Sequence, residues 1–207
     1  MTNTHQSQRK TPVIGFVAYS GTGKTTLIEQ LIAFFAQQGI TVAVIKHTHH
    51  HFDIDQPGKD SYRHRKAGAN EVLLVSDQRW VLMHELKQSS EPTIEEQLSK
   101  LSPCDLVIVE GFKNANIPKI ELWRAEHEEC LTRACKANED LNILAIAYPG
   151  GKDAVKKPDL NRDIPVLNLD DVEQIAQCGF GFGCGLGHAF KAQPSAHPAP
   201  GALQLER

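Results

Sequence analysis

The sequence predicts an α/β protein with a mostly parallel sheet flanked by helices and an inserted β-hairpin. Three observations carry this. Apolar runs without polar alternation, at 13–17, 42–45 and 106–109, have the pattern of strands covered on both faces. Between the first two, Leu27, Leu31, Phe34 and Phe35 recur at helical spacing and stop at Gly39, which completes a right-handed β-α-β unit. Residues 71–75 and 79–83 flank Asp77-Gln78 as two strands of a hairpin, a device that extends a sheet or pairs with another chain.

The turn from the first strand into the first helix carries the chemistry. Ala18-Tyr19-Ser20-Gly21-Thr22-Gly23-Lys24-Thr25-Thr26 matches G-x-x-x-x-G-K-[ST] except at its first position, where Ala18 ends the strand. Gly21 and Gly23 let the backbone curl so that successive N–H groups point inward. Lys24 reaches β- and γ-phosphates, and the Thr25 hydroxyl is a ligand for Mg²⁺. A helix starting at Lys24 adds its N-terminal dipole. Strand, glycine loop, Gly-Lys-Thr-Thr and amphipathic helix in this order specify a phosphate-binding loop, in which residues Ser20 to Thr26 hold a nucleotide. An ordinary strand-to-helix turn has no packing reason for Lys24 and Thr25 to follow Gly23.

Bulk properties restrict the partners. The chain has 207 residues, a formal net charge of −3 and a sequence pI near 6.4, so no global basic field points to nucleic acid or an anionic membrane. With 41% apolar residues it can build a core without disulfides. Its five cysteines lack C-x-x-C spacing, which suits reduced thiols in a cytoplasmic protein; Cys130 and Cys135 read as structural. Residues 1–11 are polar and read as a loose tail, 12–177 as the nucleotide-binding domain, and the Gly/Pro-rich 178–207 as a disordered tail.

The second strand delivers Lys46 and His47 to the loop edge, where ligands of doubly wound sheets bind. A long polar stretch follows, Thr48-His49-His50-His51-Phe52-Asp53-Ile54-Asp55-Gln56-Pro57-Gly58-Lys59-Asp60-Ser61, too long for a simple connection. The histidines suggest a transition metal, but consecutive extended residues alternate sides and no second ligand group stands at finger spacing. A loop that faces phosphate or substrate through His47, His49 and Asp60 is the simpler reading. Asp60 or Ser61 is a candidate cap for a helix over 62–67, and Thr93 with Glu96 forms a capping box for one over 93–101.

The strand at 105–110 adds the acid. At roughly 3.3 Å per residue, Asp105 and Glu110 stand about 16 Å apart at its two ends, and only Glu110 reaches the loop edge. There it orients or ligates Mg²⁺ with Thr25, while Lys113 is placed to neutralise phosphate. Further strands are expected at 119–123, 141–147 and 164–169, then a helix over 172–177 capped by Asp170-Asp171. The Asn/Thr-Lys-x-Asp guanine reader is missing, and neither an arginine finger nor a water-orienting glutamine stands near the loop in sequence.

The run 18–26, Lys46-His47-Thr48-His49-His50, Asp53-x-Asp55-x-Pro57-Gly58-Lys59-Asp60-Ser61, Arg65-x-Ala67-Gly68-Ala69, Gln78-Arg79-Trp80 and Val109-Glu110-Gly111-Phe112-Lys113 together resemble the MobB family, accessory proteins of molybdopterin guanine dinucleotide biosynthesis. The resemblance covers 12 to about 170 and leaves the glycine-rich tail outside. It implies a P-loop GTP-binding adapter with weak Mg²⁺-dependent GTPase activity, a homodimer acting beside the molybdopterin guanylyltransferase and other molybdenum-cofactor assembly proteins. On this basis Lys24 and Glu110 are the catalytic candidates.

Two other classes compete. A phosphate loop with a strand ending Val-Glu-Gly also resembles dethiobiotin-synthetase-like kinases, which predicts phosphoryl transfer to an acceptor instead of water. The histidines suggest a metallochaperone GTPase, although such relatives place their metal clusters differently.

Overall fold

The computed structural model describes residues 11–48 and 52–183. The chain divides into two compact units, one comprising the chain up to His47 and from Leu101 onward, the other Thr48–Lys100. The sequence predicts one domain over 12–177; in the structure Thr48–Lys100 forms a compact unit of its own within that range.

The larger unit is a six-stranded sheet in the order β2-β5-β1-β6-β7-β8, parallel throughout. Its strands are β1 (Val13–Val17), β2 (Val42–Lys46), β5 (Leu106–Glu110), β6 (Lys119–Leu122), β7 (Ile143–Tyr148) and β8 (Val166–Asn168). One face packs on helices α1 (Lys24–Gln37) and α5 (Val172–Gly183) through Phe16, Leu31, Phe35, Ile108, Ile120 and Ile175. The opposite face carries Val17, Ile146 and Tyr148 against Trp123, Cys130, Cys135 and Ala137, the last four from β6's exit, the short α4 (Glu128–Thr132) and a 3-10 turn at Lys136–Asn138. Phe16 and Val17 therefore serve opposite cores, as period-2 side chains on a sheet buried on both faces must.

Polar anchors fix the strand ends. Asp105, at the edge remote from the loop, accepts bonds from the Thr41 N–H (2.8 Å) and hydroxyl (2.6 Å), which joins the entries of β2 and β5. Lys119 is only 1% exposed; its ammonium meets Asp140 at 2.6 Å and donates to the Lys113 carbonyl at 2.8 Å. Its stem passes over Gly15, where an added Cβ would stand 2.8 Å from Lys119 Cγ, so β1 needs glycine there.

The expected tail boundary at 178 moves. Helix α5 continues to Gly183 and buries Gly179, with Cys178, Phe180 and Phe182 packed against the core. Alternating glycine opposes helix formation, but Ile175, Cys178, Phe180 and Phe182 pack α5 on the core, and at Gly183 an added Cβ would meet Pro12 at 3.0 Å. Tertiary packing overrides propensity here. Asp171, not Asp170, caps the helix through the Gln174 N–H at 2.9 Å. The remaining tail residues, 1–10 and 184–207, lie outside the described residues.

The smaller unit holds α2 (Asp60–Lys66), an antiparallel pair β3 (Glu71–Val75) and β4 (Trp80–His84), and α3 (Ile94–Leu98). The hairpin stands as its own two-stranded sheet instead of extending the parallel one. Thr93 and Glu96 form the expected capping box, whereas α2 starts at Asp60 behind Lys59, with no side-chain cap. Arg65 ties this unit together. It meets Asp53 at 2.8 Å, Asp55 at 3.0 Å and Glu85 at 2.7 Å, while Ser61 donates to Asp55 at 2.7 Å. Those charges hold both Asp53 and Asp55 below the usual carboxylate range; at Asp55 burial is the largest influence and opposes the bonds from Ser61 and Arg65.

Candidate phosphate-loop site

The parallel sheet brings the exits of β1, β2, β5, β6 and β7 to one edge: Phe16 and Lys46 both stand opposite Glu110, and Val17 stands opposite Glu121. The loop leaving β1 turns through Gly21 (φ 81°) and Gly23 (φ 92°), left-handed conformations that favour glycine. At Gly21 the demand is also steric, since a Cβ would lie 3.2 Å from His127 Nε2. Lys24 is the first residue of α1, and the Leu27 N–H is the first to bond back, to the Gly23 carbonyl at 3.1 Å. The N–H groups of Lys24, Thr25 and Thr26 belong to the first turn of α1, which leaves them without intrahelical acceptors, a donor set that suits phosphate oxygens.

Glu110 closes this site from β5. Thr25 Oγ1 donates to its Oε1 at 2.8 Å, Lys24 Nζ stands 4.0 Å from Oε1, and Lys46 Nζ stands 3.4 Å from Oε2. Burial pulls the Lys24 ammonium below the ordinary lysine value; Glu110 opposes this, and Lys46 and Lys113 reinforce it. Thr25 and Glu110 thus bring a hydroxyl and a carboxylate together, the hard oxygen pair that fits Mg²⁺ beside phosphate. Among the described residues no group of three or more His, Cys, Asp or Glu side chains forms a metal cage.

The other sequence candidates have distinct placements. Ser20 is exposed, and Thr26 is exposed on α1. Thr22 is buried, its hydroxyl donating to the Tyr19 carbonyl at 2.8 Å, so it braces the loop instead of offering that hydroxyl to a ligand. His47 follows β2, its N–H donating to the Glu110 carbonyl at 2.9 Å and its ring 4.5 Å from that of Phe112. Gly111 has φ 92° beneath the His47 carbonyl, and Phe112 takes a positive φ of 48°. Asp60 is in the smaller unit, exposed and 3.6 Å from Arg63. His49, His50 and His51 lie outside the described residues.

Two side chains that no motif announces also lie against the loop. Arg124, just past β6, donates from Nε to the Thr22 carbonyl at 2.8 Å, with its guanidinium 3.6 Å from the Cβ position of Gly23. An arginine therefore does stand at the loop, about a hundred positions away in sequence. His127 lies over Gly21, and its Nδ1 is buried without a partner among the described residues. The only sequence signal was their place after a strand now seen to neighbour β1. A cleft of about 520 Å³ opens beside Tyr19 and Ser20, lined also by Lys113, Arg133 and Lys136, with Lys136 Nζ 3.2 Å from the Tyr19 ring centroid.

No helix of the described residues is long and apolar enough to cross a membrane. The family described as "Molybdopterin guanine dinucleotide synthesis protein B" matches residues 13–148. The chain is 42% identical over 171 residues to the molybdopterin-guanine dinucleotide biosynthesis adapter protein of Escherichia coli, covering 80% of this chain and 89% of that one. It is 40% identical to the Haemophilus influenzae adapter protein of the same description, covering 80% and 85%. A crystal structure of Bacillus subtilis MobB superposes with a TM-score of 0.59 at 25% identity, covering 79% of this chain and 95% of that chain. Sheet order, phosphate loop and these likenesses agree, and the chain belongs to the MobB family.

Proposed function

We propose that this chain is a GTP-binding adapter in molybdopterin guanine dinucleotide biosynthesis, a cytoplasmic homodimer that works beside the molybdopterin guanylyltransferase and hydrolyses GTP weakly. The adapter role is supported by the descriptions of its relatives. The observation that supports nucleotide binding most is the bridge from Thr25 to Glu110, flanked by Lys24 and Lys46 at the mouth of the glycine loop. Mg²⁺ held near Thr25 and Glu110 supplies charge neutralisation for the phosphates. Lys24, Arg124 and the helix N-terminus bind and orient them. His47 keeps Glu110 and Gly111 in place. Glu110 is committed to Thr25, Lys24 and Lys46, which leaves it poorly suited to draw a proton from attacking water and accounts for slow turnover.

The hairpin supplies the surface for dimerisation. Leu73, Val75, Trp80 and Leu82 share one face of it and are 46–71% exposed. A second reading, phosphoryl transfer to a small anionic acceptor, is favoured by the cleft that Lys113, Arg133 and Lys136 line beside Ser20.

Calorimetric titration of GTP and ATP with Mg²⁺ into the wild-type protein and Lys24→Ala, with phosphate release followed in parallel, tests this. The adapter reading expects GTP-preferring binding weakened about 10- to 100-fold in the variant, the worth of charge-assisted hydrogen bonds. ATP preference, with no release until an acceptor is added, would replace it with the kinase reading.

A further inference from the structure

The loop after β6 has two sides. Arg124 and His127 lie on the phosphate loop, while Trp123, Ala125 and Glu126 line a separate pocket of about 300 Å³. Its other wall comes from the exit of β7: Pro149, Ala154, Val155 and Lys156. Neighbouring strands lie about 4.8 Å apart, so the crests of β6 and β7 stand about 5 and 10 Å from the loop that leaves β1. That separation is comparable with the reach of a nucleotide from its inner phosphates to its base.

Both walls are anchored to the sheet. Trp123 is buried, donates from Nε1 to the Cys130 carbonyl at 2.9 Å and meets Tyr148 edge-on, with ring centroids 6.0 Å apart. Gly150 N–H donates to Asn168 Oδ1 at 3.0 Å, and a Cβ on Gly151 would lie 3.1 Å from the Asn168 nitrogen, so β8 holds the second wall. Two groups in the pocket have no use within the fold. Val155 is fully exposed, an aliphatic side chain with open space before it. Glu126 is exposed and makes no hydrogen bond or ion pair among the described residues.

We infer that this pocket takes the purine base of the nucleotide whose phosphates the loop binds, and that the Glu126 carboxylate selects guanine. This rests on the nucleotide-binding reading above. Apolar walls at Ala125, Pro149 and Val155 suit the faces of a flat heterocycle. Guanine presents two donors side by side, N1–H and the 2-amino group, which match the two acceptor oxygens of a carboxylate. Lys156 on the facing wall supplies a cation for O6. Adenine offers a lone pair at N1 and no 2-amino group, so a carboxylate rejects it. The site thus performs without an Asn/Thr-Lys-x-Asp motif the discrimination that motif achieves elsewhere.

The test is calorimetry of GTP, ITP, XTP, ATP and inorganic triphosphate, each with Mg²⁺, on the wild-type protein, Glu126→Gln and Lys24→Ala. Wild-type protein should bind GTP most tightly, ITP about 10-fold more weakly for want of the 2-amino group, and ATP weakest. In Glu126→Gln the amide can donate to the 2-oxo group of xanthine, so GTP weakens about 10- to 100-fold, XTP gains, and triphosphate is unchanged. Glu126 is exposed, so the variant should fold. Tight GTP binding lost in Lys24→Ala but with an unaltered GTP-to-XTP ratio in Glu126→Gln overturns the base pocket and leaves the phosphate site standing. Failure of the wild-type protein to bind nucleotide, or binding indifferent to Lys24→Ala, overturns both.

Discussion

The two units solve the problem of a β-sheet in opposite ways. In the larger, β5 and β6 are buried along their whole length, with Leu106, Ile108, Ile120 and Leu122 packed in the core that α1 and α5 cover. In the smaller, β3 has no buried residue and β4 buries only Met83. A two-stranded hairpin is marginal in water by itself, and what organises this unit is charge: Arg65 gathers Asp53 and Asp55 from the loop before α2 and Glu85 from just past the end of β4. The contrast separates tasks. A sheet closed on both faces can hold phosphate ligands at one edge with fixed geometry, whereas an open apolar hairpin stays available for another surface.

The largest effect that would break this contrast is at the hairpin. Leu73 and Leu82 are register partners. Replacing both with glutamate should weaken self-association by at least about 30-fold, the loss of a hot spot of some 2 kcal/mol, and shift the protein to monomer in analytical ultracentrifugation. GTP binding should survive. An unchanged dimer would mean the open faces serve some other contact.

A smaller effect sharpens the account of the closed sheet. Gly183→Leu forces a side chain where Pro12 and Val13 already crowd a Cβ position, and should cost about 1–3 kcal/mol in urea unfolding. Gly179→Ala should do the reverse. A Cβ there meets Ile14 and Ile120 at 3.6 and 3.7 Å, ordinary contacts, so the gain in helix propensity should stabilise by about 0.5–1 kcal/mol. Destabilisation by the alanine would show that α5 lies closer to the sheet than these distances allow.

What the sequence revealed follows the same division. The loop from Ser20 to Thr26 and Glu110 were legible because their chemistry is local: residue type, spacing and the strand before them suffice. The Asp53-to-Ser61 motif was visible, but its use was not, because the partners that fix Asp55 and Ser61 include Arg65 and each other. Arg124 and His127 were hidden for a topological reason. Nothing near them in sequence announces phosphate until β6 is known to lie beside β1. The last turns of α5 were hidden because glycine argues against helix unless the surface it packs on is known.

The smallest effect probes the outer core that holds the β6 loop. Burial, reinforced by Glu121 and Cys130, pushes the Cys135 thiol up to about 12 from an ordinary value of 9.0. At pH 8 its thiolate is therefore about 1,000-fold scarcer than that of an ordinary cysteine, and alkylation through the closed state should be slower in proportion. Among the described cysteines, iodoacetamide labelling mapped by mass spectrometry should modify the half-buried Cys104 first and leave Cys130 and Cys135 protected. Labelling of that pair then reports opening of the cluster they share with Trp123. Trp123 is fixed by the Cys130 carbonyl and Arg124 follows it in the chain, so this opening frees the groups that lie on the phosphate loop. Nucleotide should therefore slow labelling of Cys130 and Cys135 while leaving Cys104 unchanged. Equal protection with and without GTP would separate the outer core from the phosphate site and assign Arg124 a role in bracing the loop alone.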